Sequence, residues 1–310
     1  MPLTVMTWLW SQVGGRTLYT AEHVNIWADM VRRWCSLDIE LACITDTPAG
    51  IDPAVRIIAP PGDFVGLETR AWRNEKPNCY RRIALFRPDA ADLFGERFVS
   101  MDLDCVIGAS LDPLWSRRED VVLYRSPTAP YIDRPYNGSM LMMNAGSRPA
   151  VFESFSLDAA EAASRRYRGS DQAWISTVLG FGEAVWCEDD GVYWHGVAPG
   201  GDARRLLFFP GAPKPWELVR AGVDPWVIEH YRRNPRGRAL YLGYGAEVWS
   251  DAEAALAEPY AGVIACQEAA AHWPMALDAV ARELDEGERV ARMLGFDEIV
   301  PCGAGKRKAG

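Results

Sequence analysis

The stretch "RFVSMDLDCVIGASLDPLW", residues 97–115, decides how the rest of the chain is read. Phe98, Val99, Met101, Leu103, Cys105, Val106 and Ile107 form the run that a buried strand favours, and Asp102 and Asp104 interrupt it. Burying even a neutral polar group without a partner costs roughly 2–7 kcal/mol, and an ionised carboxylate costs more. The strand therefore either surfaces at these two residues or meets a cation there. In a continuous strand, residues i and i+2 share a face, so both carboxylates would converge on one cation. A hard divalent ion such as Mg2+ or Mn2+ takes such oxygens and completes its shell with phosphate oxygens and water. The D-x-D pattern alone is short, and an acidic chain produces it about once by chance. Two solvated carboxylates at a strand end are the plain alternative.

The neighbouring segments supply context. "LTVMTWLW" reads as a first strand, and "TAEHVNIWADMVRRWC" as a helix with Val24, Trp27, Met30, Val31 and Trp34 at helical spacing behind an N-cap at Thr20. "DIELACITD" and "VRIIAP" are strand-like, and a helix is expected within "CYRRIALFRPDAADLFG". This alternation predicts an α/β fold, a mostly parallel sheet flanked by helices, in which ligands bind at the carboxyl ends of strands. Asp46, Asp102 and Asp104 fall at or near such ends. Further along, "DVVLYRS" and "NGSMLMMNAG" read as strands, "DAAEAASRRY" as a helix, and "SDQAWISTVLGFG" as a helix opening at Ser170.

The style changes near residues 234–238. Residues 1–235 are expected to form the main domain and 236–310 a small C-terminal strand–helix–strand module, with a charged helix over 275–295 and a tail carrying "KRK". A packing role for this module, and through it a homodimer, is the expectation. Its "YLGYG" lacks the full G-x-G-x-x-G pattern of a dinucleotide site.

Composition bounds the function. With 49% hydrophobic residues in 310, a sizeable core is available. The balance of 33 Lys+Arg against 42 Asp+Glu gives −9, which argues against a broad basic surface for nucleic acid. No apolar run reaches the ~18–20 residues that span a membrane, and the N-terminus reads as a strand rather than a leader. The seven cysteines are scattered without a CxxC pair, which reads as reduced, structural thiols in a cytoplasmic protein.

Two further segments carry candidate chemistry. Asp171 and Gln172 open a helix, where acidic residues are also favoured for capping and dipole reasons alone. In "FFPGAPKPWEL", prolines flank Lys214 and stiffen the loop that carries it, which suits a phosphate oxygen.

Together these segments resemble the GT-A-fold glycosyltransferases, in particular the retaining family that contains glycogenin and bacterial lipopolysaccharide galactosyltransferases. The resemblance covers approximately residues 3–220. It rests on "VMTWLW" (5–10), "SMDLDCVI" (100–107), "YNGSMLMMNAG" (136–146), "SDQAW" (170–174) and "GAPKPW" (211–216), the last similar to the family's G-x-x-K-P-W signature. It implies a GT-A, Rossmann-like sheet and transfer of a sugar from a nucleotide-sugar donor, a UDP-sugar, to an acceptor hydroxyl with retention. It implies Mn2+ or Mg2+ as cofactor, held by Asp102 and Asp104 against the diphosphate. Thr7, Trp8 and Leu9 would line the base pocket, and Asn137, Gly138 and Ser139 would lie beside the sugar. Asp171 and Gln172 would act near the anomeric carbon, and Gly211 and Lys214 would touch the leaving diphosphate. Arg70, Arg81 and Arg82 lie where the family places basic residues that support donor phosphates, although Arg81 and Arg82 also read as a solvated helix face.

One position departs from the family. Its metal-binding His, three residues before the glycine, is Phe208 here, and His195 in "VYWHGVAPGG" is the nearest replacement. The departure favours a second reading, a catalytically silent relative that binds nucleotide sugar or carbohydrate. A third, a nucleotidyltransferase, draws on "SQVGGRT", residues 11–17, as a faint triphosphate loop. The acceptor stays open among a glycan, a protein, a small molecule and a modified DNA base.

Overall fold

The computed structural model describes residues 2–10, 19–65, 67, 79–125, 134–198, 203–234, 237–241, 262–264, 289–290 and 292–301. They belong to two compact units, Met1–Pro210 and Gly211–Gly310. The change of style near residues 234–238 falls inside the second.

In the first unit the chain runs β1 (Leu3–Leu9), α1 (Ala21–Trp34), β2 (Ile39–Thr45), β3 (Arg56–Ile58), a 3-10 helix (Tyr80–Phe86), α2 (Ala90–Phe94), β4 (Arg97–Met101), β5 (Cys105–Ile107) and α3 (Asp112–Trp115). It continues with β6 (Val121–Tyr124), β7 (Asn137–Asn144), α4 (Ala150–Glu153), α5 (Leu157–Tyr167), α6 (Asp171–Leu179), β8 (Ala184–Trp186), β9 (Val192–Trp194) and β10 (Leu206–Phe208). The seven-stranded sheet has the order β3-β2-β1-β4-β7-β6-β8. Only β7 runs against the others. The expected mostly parallel α/β sheet flanked by helices is therefore present.

Interior strand β1, between β2 and β4, is buried on both faces, as a parallel strand covered by helices must be. Met6, Trp8 and Trp10 join a core with Ala42, Ile44, Tyr80, Phe86, Phe98 and Leu141. Helix α1, which packs against β1, buries Val24, Trp27, Met30 and Val31, the residues its spacing selected. Its start at Thr20 is as expected, with His23 three residues on accepting the Thr20 backbone N–H at 2.8 Å. That is the reciprocal half of a capping box, made by an imidazole in place of a carboxylate. Between 79 and 95 the expected single helix is two short ones, because Pro88 disfavours helical geometry at Arg87.

The opening stretch is corrected in one respect. The apolar run is not one strand, so Asp102 and Asp104 are not an i, i+2 pair on one strand face. Strand β4 pairs with β1 and β7, whereas β5 pairs with β10 in a separate three-stranded sheet of order β5-β10-β9. Residues 102–104 form the crossing between the sheets, where the chain gives up its ladder. Reversed strand β7 begins at this same carboxyl edge, and the Asp102 backbone N–H donates to the Ser139 carbonyl at 2.8 Å.

In the second unit, α7 (Pro215–Ala221) and α8 (Pro225–His230) precede a parallel three-stranded sheet of order β12-β11-β13, made of β11 (Gly237–Tyr241), β12 (Gly262–Ile264) and β13 (Phe296–Pro301). Asp224 caps α8 by accepting from the Val227 N–H at 3.3 Å. The Arg289 guanidinium donates to the Val219 and Arg220 carbonyls at 3.1 and 2.8 Å, at the end of α7 where a cation is favoured. Cys35, Cys43, Cys79, Cys105 and Cys187 are free thiols. No helix among the described residues is long and apolar enough to cross a membrane.

Candidate functional site

The 3-10 helix Tyr80–Phe86 buries Tyr80, Ile83, Leu85 and Phe86, which directs its two arginines to the carboxyl edge of the sheet. Arg81 lies over the Trp10 ring, 5.0 Å from its centroid. Burial lowers the Arg81 pKa, and the Asp46 carboxylate opposes that shift. Neighbouring Arg82 has a different fate. Its Nε donates to Asp171 Oδ2 at 2.7 Å, and its Nη1 donates to Asp102 Oδ1 at 2.5 Å and to the Gly138 carbonyl at 3.2 Å. Burial alone would favour loss of its proton, but Asp171 and Asp102 outweigh burial and hold the pKa well above the ordinary value. The cation that Asp102 requires is thus supplied by the chain itself, from 20 residues away.

Asp104 is buried and is met by a neutral donor. The Tyr19 hydroxyl donates to its Oδ2 at 3.0 Å. Burial, and then the charges of Asp104 and Asp102, push the Tyr19 pKa up, so the phenol keeps its proton and remains a donor. The same causes raise the Cys105 thiol well above its usual range.

Three backbone devices bring the other candidates to this edge. Asn137 Oδ1 accepts the Ser139 N–H at 2.8 Å, which shapes the entry to β7. Gly138 donates its N–H to Gln172 Oε1 at 3.3 Å. A Cβ on Gly138 would stand 3.0 Å from Arg82 Nη2 and 3.2 Å from Asp171 Oδ2, so the ion pair needs glycine here. Before α6 the chain passes through Arg168 and Gly169, both at positive φ. A Cβ on Gly169 would come within 2.4 Å of Gln172 Nε2, so this glycine leaves room for the amide side chain. Ser170 occupies the N-cap position, but its hydroxyl accepts the Cys79 N–H at 3.1 Å instead of capping α6. Arg134 fastens the turn, donating to the carbonyls of Tyr136, Tyr167 and Arg168 at 2.8, 3.0 and 2.9 Å. Burial lowers its pKa to about 10, against the opposing charge of Asp171.

The structure therefore brings together Asp102, Asn137, Gly138, Ser139, Asp171 and Gln172 around Arg82, with Asp104 one crossing residue further on. Thr7, Trp8 and Leu9 are buried within β1, and successive residues of a strand point to opposite faces. Trp8 faces the core cluster and donates its indole N–H to Ser100 Oγ at 3.2 Å. His195 follows β9. Its backbone N–H donates to the Phe208 carbonyl at 2.8 Å, and its ring stacks on Phe209 at 4.6 Å. Phe209 in turn donates its N–H to the Asp104 carbonyl at 2.9 Å. Phe208 is fully buried against Tyr124.

Among the described residues no three His, Cys, Asp or Glu side chains gather as a metal-holding group. The donor set at the crossing is two carboxylates, Asp102 and Asp104. It fits a divalent ion that draws the rest of its shell from phosphate and water.

Gly211 and Lys214 belong to the second unit. Lys214 is buried and stands just before α7, its backbone N–H donating to Glu217 Oε2 at 2.7 Å. A Cβ on Gly211 would meet nothing within 4 Å, so no local contact requires a glycine there. Arg70, the 11–17 segment and the "KRK" tail lie outside the described residues.

The sequence reading missed Tyr19, Arg134 and Gly169. Only Gly169 had a local signal, a glycine just past the end of a helix, where a left-handed residue commonly closes the last turn. Tyr19 and Arg134 are placed by contacts between distant segments.

The fold and this cluster define an α/β protein whose charged groups gather at the carboxyl edge of the sheet, the side on which such folds take ligands. No family model matches the sequence, and no curated protein matches it. Among solved structures, the chain is similar to the galactosyltransferase LgtC in complex with donor and acceptor sugar analogs, at 14% identity over 69% of this chain and 89% of that one, with TM-score 0.48. It is also similar to apo-form glycosyltransferase GlyE of Streptococcus pneumoniae TIGR4, at 10% identity over 97% and 80%, TM-score 0.47. The bifunctional glycosyltransferase WbbM gives 12% identity over 74% and 49%, TM-score 0.44.

Proposed function

We propose that the protein is a GT-A-type glycosyltransferase that moves a sugar from a nucleoside-diphosphate donor, a UDP-sugar, to an acceptor hydroxyl with retention of anomeric configuration. The observation that carries the reading is the single guanidinium of Arg82, which joins Asp102 of the D-x-D to Asp171 of the Asp–Gln pair. Nothing in the core requires these charges, and a buried, arginine-linked acidic group at a sheet's carboxyl edge is where functional ionisable residues concentrate.

In this reading Asp102 and Asp104 would hold Mn2+ or Mg2+ together with the donor's diphosphate, and the ion would supply Lewis-acid stabilisation of the leaving group's charge. Arg82 fixes the Asp171 carboxylate, and Gly138 fixes the Gln172 amide. Both then need no reorganisation when positive charge develops at the anomeric carbon, the condition under which electrostatic stabilisation is most effective. The acceptor hydroxyl attacks from the face the diphosphate leaves: the anomeric C–O bond to the diphosphate breaks as the bond to the acceptor oxygen forms, and the hydroxyl proton passes to the departing diphosphate.

The test is calorimetric titration of UDP, GDP, ADP and CDP, each with and without Mn2+. Binding of UDP only with metal, lost in Asp104→Asn with the circular dichroism spectrum unchanged, is the expected result. Preference for another diphosphate would change the donor, and no binding of any would overturn the reading. The burial of Phe208 where the family has a metal-binding His favours a second reading, donor binding without turnover. The two differ in one measurement: only an enzyme slowly hydrolyses the donor to free diphosphate, in a manner lost with Asp104→Asn.

A further inference from the structure

We propose that Arg82 is a positioning residue that couples metal to donor: by neutralising Asp102 in the free protein, it makes the acidic crossing accept a divalent cation only together with a nucleoside diphosphate. The proposal rests on the donor reading above and adds an order of binding to it.

The argument starts from charge. Asp102 Oδ1 is engaged by the Arg82 guanidinium at 2.5 Å, and Asp104 Oδ2 accepts from Tyr19 at 3.0 Å. A divalent ion arriving alone would bind beside a fixed positive charge, and like charges a few ångströms apart repel strongly where water is largely excluded. Arg82 cannot withdraw cheaply. Its side chain is only 12% exposed, Asp171 holds it at Nε, and the Gly138 carbonyl accepts from the same Nη1 that meets Asp102. It cannot shed its charge either, because an arginine guanidinium stays protonated in proteins. The position from which the family supplies a third protein ligand is a buried phenylalanine, Phe208, packed against Tyr124. A diphosphate changes this balance. It brings negative charge that compensates the dication and supplies oxygens for its shell, and it offers the guanidinium a further bidentate partner.

The experiment measures Mn2+ binding directly, by the loss of the free-Mn2+ paramagnetic resonance signal, first without nucleotide and then with UDP. The variants are Arg82→Lys and the double variant Arg82→Gln/Asp171→Asn. The double variant removes one charge of each sign, so the well-buried Asp171 carboxylate is not stranded and Asp102, the more exposed partner, is the one left without the guanidinium. The wild type is expected to bind Mn2+ far more tightly with UDP than without. The double variant is expected to bind nucleotide-free Mn2+ roughly tenfold or more tighter than wild type. Arg82→Lys should fall between, because one ammonium cannot hold both carboxylates in the guanidinium's fork, and this variant tests the coupling independently of how the double variant folds. Equal Mn2+ affinity with and without UDP in the wild type would overturn the proposal. So would variants that keep wild-type affinity for free Mn2+. A wild type that takes no diphosphate in the presence of Mn2+ overturns the functional reading and this proposal together. One that takes both, with the variants unchanged, overturns this proposal alone.

Discussion

Arg82 and Arg117 make the same chemical pairing in two regions of the first unit, with different consequences. Arg117 reaches Glu119, two residues away, at 2.5 Å, and the carboxylate is 44% exposed. Arg82 reaches partners 20 and 89 residues away, and the Asp171 side chain is 5% exposed. The first pair follows from local chain geometry, and solvent screens it. The second exists only once four segments of the chain have come together, and its charges have little water to fall back on. An exposed ion pair is worth little, but breaking a buried one strands a charge. The lesson is that the cost of an ion pair's removal follows its burial and its span in sequence, not its length in ångströms.

The largest expected effect breaks the buried side. Asp171→Ala leaves the Arg82 guanidinium with Asp102 as its one carboxylate beside the Gly138 carbonyl, and should cost about 3 kcal/mol in chemical denaturation. A loss below ~1 kcal/mol would erase the contrast with Glu119. An intermediate effect is expected from Gly138→Ala, whose methyl meets Arg82 Nη2 and Asp171 Oδ2 at 3.0 and 3.2 Å. Overpacking of this kind costs about 1–3 kcal/mol. The same change in the Asp171→Ala background should cost less, since one crowded partner is gone, and equal costs would show that the pair is not what Gly138 accommodates.

The smallest effect sharpens the exposed side. The Arg117 hydrogen bond holds the Glu119 carboxyl down at about 2. Because the folded pKa lies below the unfolded value of ~4.3, the pair's contribution is present above that value and is lost as pH falls through 2. The stability difference between wild type and Glu119→Gln should therefore shrink over this window, and should also fade in ~1 M salt. A difference that survives both would place this pair with the buried one.

Much of the frame was legible because it follows from local rules. The alternation of "LTVMTWLW", "DIELACITD" and "NGSMLMMNAG" with an amphipathic α1 is enough to indicate a mostly parallel sheet, and Thr20 marks its helix start. The pairing of Asp102 with a cation was legible as a need, since an apolar run does not carry carboxylates without compensation. Who meets that need was not. Arg81 and Arg82 are adjacent and chemically identical, and nothing in "CYRRIALF" says that one covers Trp10 while the other bridges two carboxylates. The break at residues 102–104 was hidden for a related reason. Met101 and Cys105 are equally strand-like, and only their partners, β7 for one and β10 for the other, place them in different sheets. His195 is a similar case: sequence offers a candidate ligand, and packing sets its ring against Phe209.

By itself, then, the sequence determined the alternation of strands and helices, the acidic positions at the carboxyl edge, and the demand for positive charge there. These depend on hydrophobic periodicity and on the cost of burying charge, which act within a few residues. The tertiary structure alone decided that Arg82 answers the demand, that Gly138 and Gly169 leave room for Asp171 and Gln172, and that the Tyr19 hydroxyl reaches Asp104. Each of those facts is a contact between segments far apart in the chain. Such a contact has no local signature, because its energy appears only when folding brings both sides out of water together.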